Sequence, residues 1–92
     1  MKSHTTRRFR ELFEGLPETI RKQAKRTYVR FMNDPQTPSL QFKRIHTAEP
    51  IYSVRITRDY RALGVLHSHA IVWFWIGTHS AYDKLVRQLR DL

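Results

Sequence analysis

The apolar residues of this chain change period near residue 35, from helical to strand-like, and that change rules out an all-helical or an all-strand fold. Upstream, Ile20, Ala24, Tyr28 and Phe31 recur at helical spacing and leave Arg21, Lys22, Lys25, Arg26 and Arg30 on the other side. Downstream, Tyr52, Val54 and Ile56 alternate with Ser53, Arg55 and Thr57, as in a strand with one buried face. Asn33-Asp34-Pro35 separates the two regimes, because proline disfavours helical backbone in the residue before it.

The period predicts α+β architecture, element by element. A helix is expected over about 7–15, capped by Thr5 or Thr6 and carrying Phe9, Leu12, Phe13 and Leu16. Gly15 and Pro17 break it, and a second helix spans about 17–33, making an αα-hairpin. Strands follow at 40–45, 51–57, 60–66 and 70–77, joined by turns at Arg58-Asp59 and His67-Ser68-His69. Ala70–Gly77 is apolar on both faces and therefore central. A last helix from Ser80 carries Tyr82, Leu85, Val86 and Leu89 on one side. The expected fold is the N-terminal hairpin packed on a four-stranded antiparallel sheet, with a C-terminal helix and the helices covering one face, as one domain over residues 1–92.

Charge narrows the partners. Seventeen Lys and Arg against eight Asp and Glu give a net charge of +9, which favours a polyanion or an acidic protein. The chain has no cysteine, so disulfides, thiolate catalysis and zinc–thiolate sites are excluded. The longest apolar run, Ile71–Ile76, is far short of the roughly 20 residues of a membrane span, and the N-terminal segment lacks the apolar region of a secretory signal. A cytoplasmic protein without membrane, metal or small-molecule cofactor is the expectation.

The strand pattern places candidate chemistry. With Tyr52, Val54 and Ile56 facing the helices, Arg55 points to the opposite face. Arg61, just past the Arg58-Asp59 turn, can share that face, as can Lys43 or Arg44 from the first strand. His79 follows the last strand, with Tyr82 at the rim. The plainer readings are a solvated arginine face, a capping histidine, Tyr82 and Asp83 as ordinary helix-start residues, and Trp73 and Trp75 as core. His67-Ser68-His69 reads as a polar hairpin tip ahead of a weak metal site.

Three segments, "DPQTPSLQFKRI", "YSVRITRDYRALGVL" and "IVWFWIGTHSAYDKL", resemble the RelE/ParE superfamily of bacterial type II toxin–antitoxin toxins over about residues 8–90. The marks are a Tyr-x-x-Arg-Ile strand, a Tyr-Arg-x-Leu strand after a short turn, and a His-x-x-Tyr after the last strand. In the RelE branch, the resemblance implies a metal-free mRNA endonuclease acting on the ribosome and inhibited by a cognate antitoxin. It makes Arg61, His79, Arg55 and Tyr82 the catalytic candidates, and Lys43, Arg44 and Arg58 the phosphate-binding ones. Some relatives carry Lys where this chain has Ser53, others use a Glu base, and here Glu49 lies in the preceding turn. A ParE-like inhibitor of DNA gyrase, or an RNA-binding homologue without catalysis, are the alternatives. The antitoxin is expected to be partly disordered alone and acidic where it covers the cationic cleft.

Overall fold

The computed structural model describes residues 1–91. In chain order the elements are β1 (Lys2–Thr5), α1 (Arg7–Glu14), α2 (Glu18–Asn33), a 3-10 turn (Pro38–Leu40), β2 (Lys43–Arg44), β3 (Ile51–Thr57), β4 (Tyr60–His67), β5 (Ala70–Thr78) and α3 (His79–Arg90). The sheet order is β1-β5-β4-β3-β2, with β1 parallel to β5 and every other pair antiparallel.

The expected α+β class and αα-hairpin are present, but the sheet is five-stranded and mixed, not four-stranded and antiparallel. The added strand, β1, carries no apolar alternation. Its backbone holds it at the sheet edge: Lys2 N–H donates to His69 C=O at 2.9 Å and Thr6 N–H to Trp73 C=O at 3.0 Å. Ser3 Oγ also accepts from the Trp73 indole at 3.1 Å. An edge strand needs only this pairing, so it leaves little hydrophobic signal. Thr6 caps α1, its hydroxyl accepting from Phe9 N–H at 3.1 Å. The first expected strand shrinks to Lys43–Arg44. Pro38–Leu40 winds a 3-10 turn that buries Leu40, and Gln41 leaves it in left-handed backbone at φ 46.

Helices cover both faces of the sheet, not one. The α1–α2 hairpin packs Ala24 and Phe31 on Val54, Ala62, Ile71, Trp73 and Ile76. On the other face α3 packs Tyr82 and Val86 on Ile51 and Leu63, with Trp75 and Phe74 beside them. A bulge produces this split. Leu63 pairs with Trp75 and Gly64 with Trp73, so Phe74 is an extra residue in β5. Trp73 therefore faces the hairpin, and Trp75, two residues on, faces α3. Simple alternation would put both on one side.

Gly64 makes room for this arrangement. A Cβ there would sit 2.8 Å from Trp73 Cε3 and 2.9 Å from Ile71 Cγ1, both in the core. Gly64→Val is expected to cost about 1–3 kcal/mol through overpacking, read as a lower urea midpoint at unchanged slope.

The end of α3 is pinned by a buried residue with no counterpart in the motif reading, His46. Its Nδ1 accepts from Ala48 N–H at 3.1 Å and Glu49 N–H at 2.8 Å, and its Nε2 lies 2.9 Å from Leu89 C=O. Two donors at Nδ1 place the ring proton on Nε2, which donates to that carbonyl. Among the described residues, no helix is long and apolar enough to cross a membrane.

Candidate functional site

Arg55 and Arg61 are cross-strand partners on β3 and β4, so their side chains leave the sheet on one face. Ile51 and Leu63, at the same parity on these strands, pack on α3, so this is the α3 face. Two cations on adjacent strands repel, and the fold offsets this locally. Arg61 Nη1 donates to the carbonyls of Thr57 at 2.6 Å, Tyr60 at 2.9 Å and Arg58 at 3.2 Å. These bonds clamp the β3–β4 turn. They leave from one terminal nitrogen, so Nε and Nη2 remain to face an anion. Burial, then the proximity of Arg55, holds the Arg61 pKa below its ordinary value, while Tyr82, Asp83 and Asp59 pull it back up. A guanidinium starts so far above neutrality that it stays a cation.

His79 arrives from the other side of the turn as the first residue of α3. Thr78 caps the helix, its hydroxyl accepting from Ala81 N–H at 3.2 Å. The His79 N–H donates to Asp59 C=O at 2.7 Å, which joins the helix start to the β3–β4 turn. One turn on, Asp83 Oδ2 lies 3.1 Å from His79 Nδ1. This half-exposed pair adds little stability, but it orients the ring through Nδ1 and leaves Nε2 unengaged by Asp83. Tyr82 is buried in the α3 core and meets the His79 ring edge-on, with centroids 5.6 Å apart.

Together these elements line a cleft of about 660 Å³, bounded by Arg58, Asp59, Arg61, His79, Ser80, Asp83, Lys84 and Arg87. Of the sequence candidates, Arg58, Arg61 and His79 line it, with Arg55 beside Arg61. Lys43 pairs with Ser53 and so shares the Arg55 face, two strands from Arg61. Arg44 pairs with Tyr52 on the hairpin face and gives its Nε–H to His46 C=O at 2.9 Å, which takes it away from the cleft. Ser53 is 2% exposed, so the position that bears Lys in some relatives is roofed over here.

Ser80, Lys84 and Arg87 were not anticipated. They recur at spacings of four and three on the polar side of α3, a signal open to anyone reading the polar face of that helix as closely as its apolar one. Among the described residues, no group of three or more His, Asp or Glu is placed to hold a metal, and exposed His67 and His69 flank the β4–β5 turn.

A family model described as ParE-like toxin domain matches residues 18–84. Among solved structures, the chain is similar to the RelB–RelE antitoxin–toxin complex from Methanococcus jannaschii, with 20% identity over 88% of this chain and 96% of that one and a TM-score of 0.71. It is also similar to the YoeB/ParE toxin from Agrobacterium tumefaciens, with 13% identity over 86% and 99% of the chains and a TM-score of 0.69. The isolated E. coli RelE toxin aligns over 95% and 96% of the chains at 16% identity, with a TM-score of 0.65. No curated protein matches.

Proposed function

Because the chain belongs to the ParE-like toxin family, within the RelE/ParE superfamily of toxin–antitoxin toxins, we propose that it is an mRNA endonuclease of the RelE type, acting on the ribosome and held inactive by an antitoxin. The observation that carries this reading is the Asp83-oriented imidazole of His79 at the mouth of a cleft that also holds Arg61. A RelB antitoxin accompanies the RelE of the similar archaeal complex, which supports an antitoxin partner here.

RNA cleavage of this kind uses the substrate's own 2′-hydroxyl. Its proton is removed, O2′ attacks the adjacent phosphorus, and the bond to the 5′-oxygen breaks as that oxygen takes a proton. The products are a 2′,3′-cyclic phosphate and a 5′-hydroxyl. The free Nε2 of His79 transfers one of these protons, its ring held by Asp83. Arg61 and Arg55 neutralise the charge that develops on the phosphorane oxygens. Tyr82, buried against the ring, positions His79. Arg58, Lys84 and Arg87 hold flanking phosphates, with Lys43 further along the same face. No cofactor enters this scheme.

Ser53 keeps a second reading open. Without a lysine there and with Glu49 outside the cleft lining, this site has one fewer proton-transfer group than some RelE-type relatives, and a ParE-like gyrase inhibitor needs none. Purified protein on ribosomes programmed with a defined mRNA separates the two, with cut ends mapped by primer extension. His79→Ala is expected to slow cleavage by about 100-fold or more, and Asp83→Asn by less. Intact mRNA together with loss of gyrase supercoiling overturns the nuclease reading. A His79→Ala variant that cuts as fast as the parent overturns the site assignment alone.

A further inference from the structure

Among the described residues His46 is the one buried histidine, 8% exposed, and the cleft chemistry does not use it. It lies in the loop between β2 and β3, outside the cleft lining. Its hydrogen bonds join three pieces of the chain. Nδ1 accepts from Ala48 and Glu49 N–H and closes the loop on itself. Nε2–H donates to Leu89 C=O in the last turn of α3. The His46 C=O accepts from Arg44 Nε–H, which carries the connection back to β2. Leu89 C=O is one of the last four carbonyls of a helix, which the helical ladder leaves without their usual donors. His46 supplies that donor from outside the helix.

Helix α3 has few other anchors. Besides its Thr78 cap, two hydrogen bonds among the described residues tie it to the rest of the chain, one at each end. His79 N–H donates to Asp59 C=O at 2.7 Å, and His46 to Leu89 C=O at 2.9 Å. Among the described residues, no ion pair joins α3 to another element. Only Tyr82 and Val86 are buried along it. The two ties do different work. The Asp59 bond fixes His79 beside the β3–β4 turn. Lys84 and Arg87 lie further along the helix, about 7.5 and 12 Å from His79 at 1.5 Å of rise per residue. A helix held only at its start pivots there. A tilt then displaces Arg87 more than Lys84 and leaves His79 nearly in place.

We propose that His46 is a positioning residue for the RNA site. Through Leu89 it sets the tilt of α3, and so the reach of Lys84 and Arg87 into the cleft. This rests on the endonuclease reading above. A loop outside the cleft thus controls how tightly flanking phosphates are held, while proton transfer at His79 is insulated from it.

The test measures single-turnover cleavage by the full chain on ribosomes programmed with a defined mRNA. His46→Asn separates the two jobs of the ring. Its Oδ1 takes the place of Nδ1 and accepts from the loop N–H groups as an Asx turn, but the side chain is too short to reach Leu89. It is expected to raise the half-saturating concentration about tenfold, with the maximal rate within threefold of the parent. The log–log salt slope is expected to fall by about 0.7, the equivalent of one phosphate contact on a single strand. Arg87→Ala added to His46→Asn is expected to cost little further, Lys84→Ala more, and Arg58→Ala, on the β3–β4 turn, its full amount. His46→Gln carries an amide N–H at the reach of Nε2 and is expected to bind within threefold of the parent. A His46→Asn protein with parental half-saturation and salt slope overturns the proposal, as does full additivity with Arg87→Ala. A folded Gln variant that shows the tenfold loss overturns it even where the Asn variant does not fold. Loss of maximal rate in proportion to far-ultraviolet circular dichroism, at unchanged half-saturation, marks a structural role only and also overturns it. A parent protein that leaves the mRNA intact defeats the endonuclease reading, and the proposal with it.

Discussion

Arg61→Ala is expected to reduce mRNA cleavage by about 100- to 1000-fold, the loss found when one preorganised donor to a developing oxyanion is removed. It is also expected to loosen the protein. Arg61 closes the β3–β4 turn through three carbonyls, and that same turn holds the start of α3 through Asp59 C=O. Losing these bonds at a partly solvated site costs about 1–3 kcal/mol. Arg61→Lys separates the two contributions. A lysine keeps the charge and can bond a carbonyl, but it cannot clamp the turn and present a fork to phosphate together. Most of the stability is expected to return in this variant, and only a minor part of the activity. Denaturant midpoints and single-turnover cleavage on ribosomes check the pair. An Arg61→Ala protein that cuts at the parental rate refutes the assignment.

Phe31→Ala is expected to cost about 3–5 kcal/mol, against a total of about 5–14 kcal/mol for a chain of this length at 0.05–0.15 kcal/mol per residue. Phe31 is 1% exposed. Its ring meets Phe42 at 5.0 Å and Trp73 at 5.2 Å, both edge-on. This aromatic trio joins α2 to β5 and to the segment before β2, so truncation opens a cavity that three elements border. Phe31→Leu refills most of the volume and is expected to recover more than half of the loss. Urea unfolding followed by far-ultraviolet circular dichroism measures both.

The hairpin, the four long elements and the shared face of Arg55 and Arg61 were legible because each writes itself in periodicity. The two-residue Arg58-Asp59 turn separates Thr57 from Tyr60, and cross-strand pairing then leaves few registers in which Arg55 and Arg61 could part. Other features follow from physics that periodicity does not record. β1 is held by backbone hydrogen bonds, which any side chain tolerates. The Phe74 bulge inserts one residue into a run already apolar on both faces, so no break in pattern reveals it. The position of α3 across the sheet follows from that bulge, since Phe74 and Trp75 join Leu85 and Leu89 around the core that Tyr82 and Val86 make with Ile51 and Leu63. His46 reads as one histidine in a polar stretch, and only the meeting of a loop with the end of α3 gives it a task. Likewise, Lys84 and Arg87 become part of a cleft only once α3 is brought against the β3–β4 turn.

The Phe74 bulge also makes the protein its own two-channel optical sensor. Its only two tryptophans, adjacent but for one residue, look out on opposite sides of the sheet. Trp73 lies in the core beneath the α1–α2 hairpin. Trp75 lies over Gly77, the strand partner of Arg61, where a Cβ would come within 2.6 Å of its indole. Trp73→Phe and Trp75→Phe each leave one emitter on one face. Fluorescence from the first follows events on the α3 face, which carries the cationic cleft, and from the second events beneath the hairpin, so changes on the two faces can be timed independently in a protein that carries no added label.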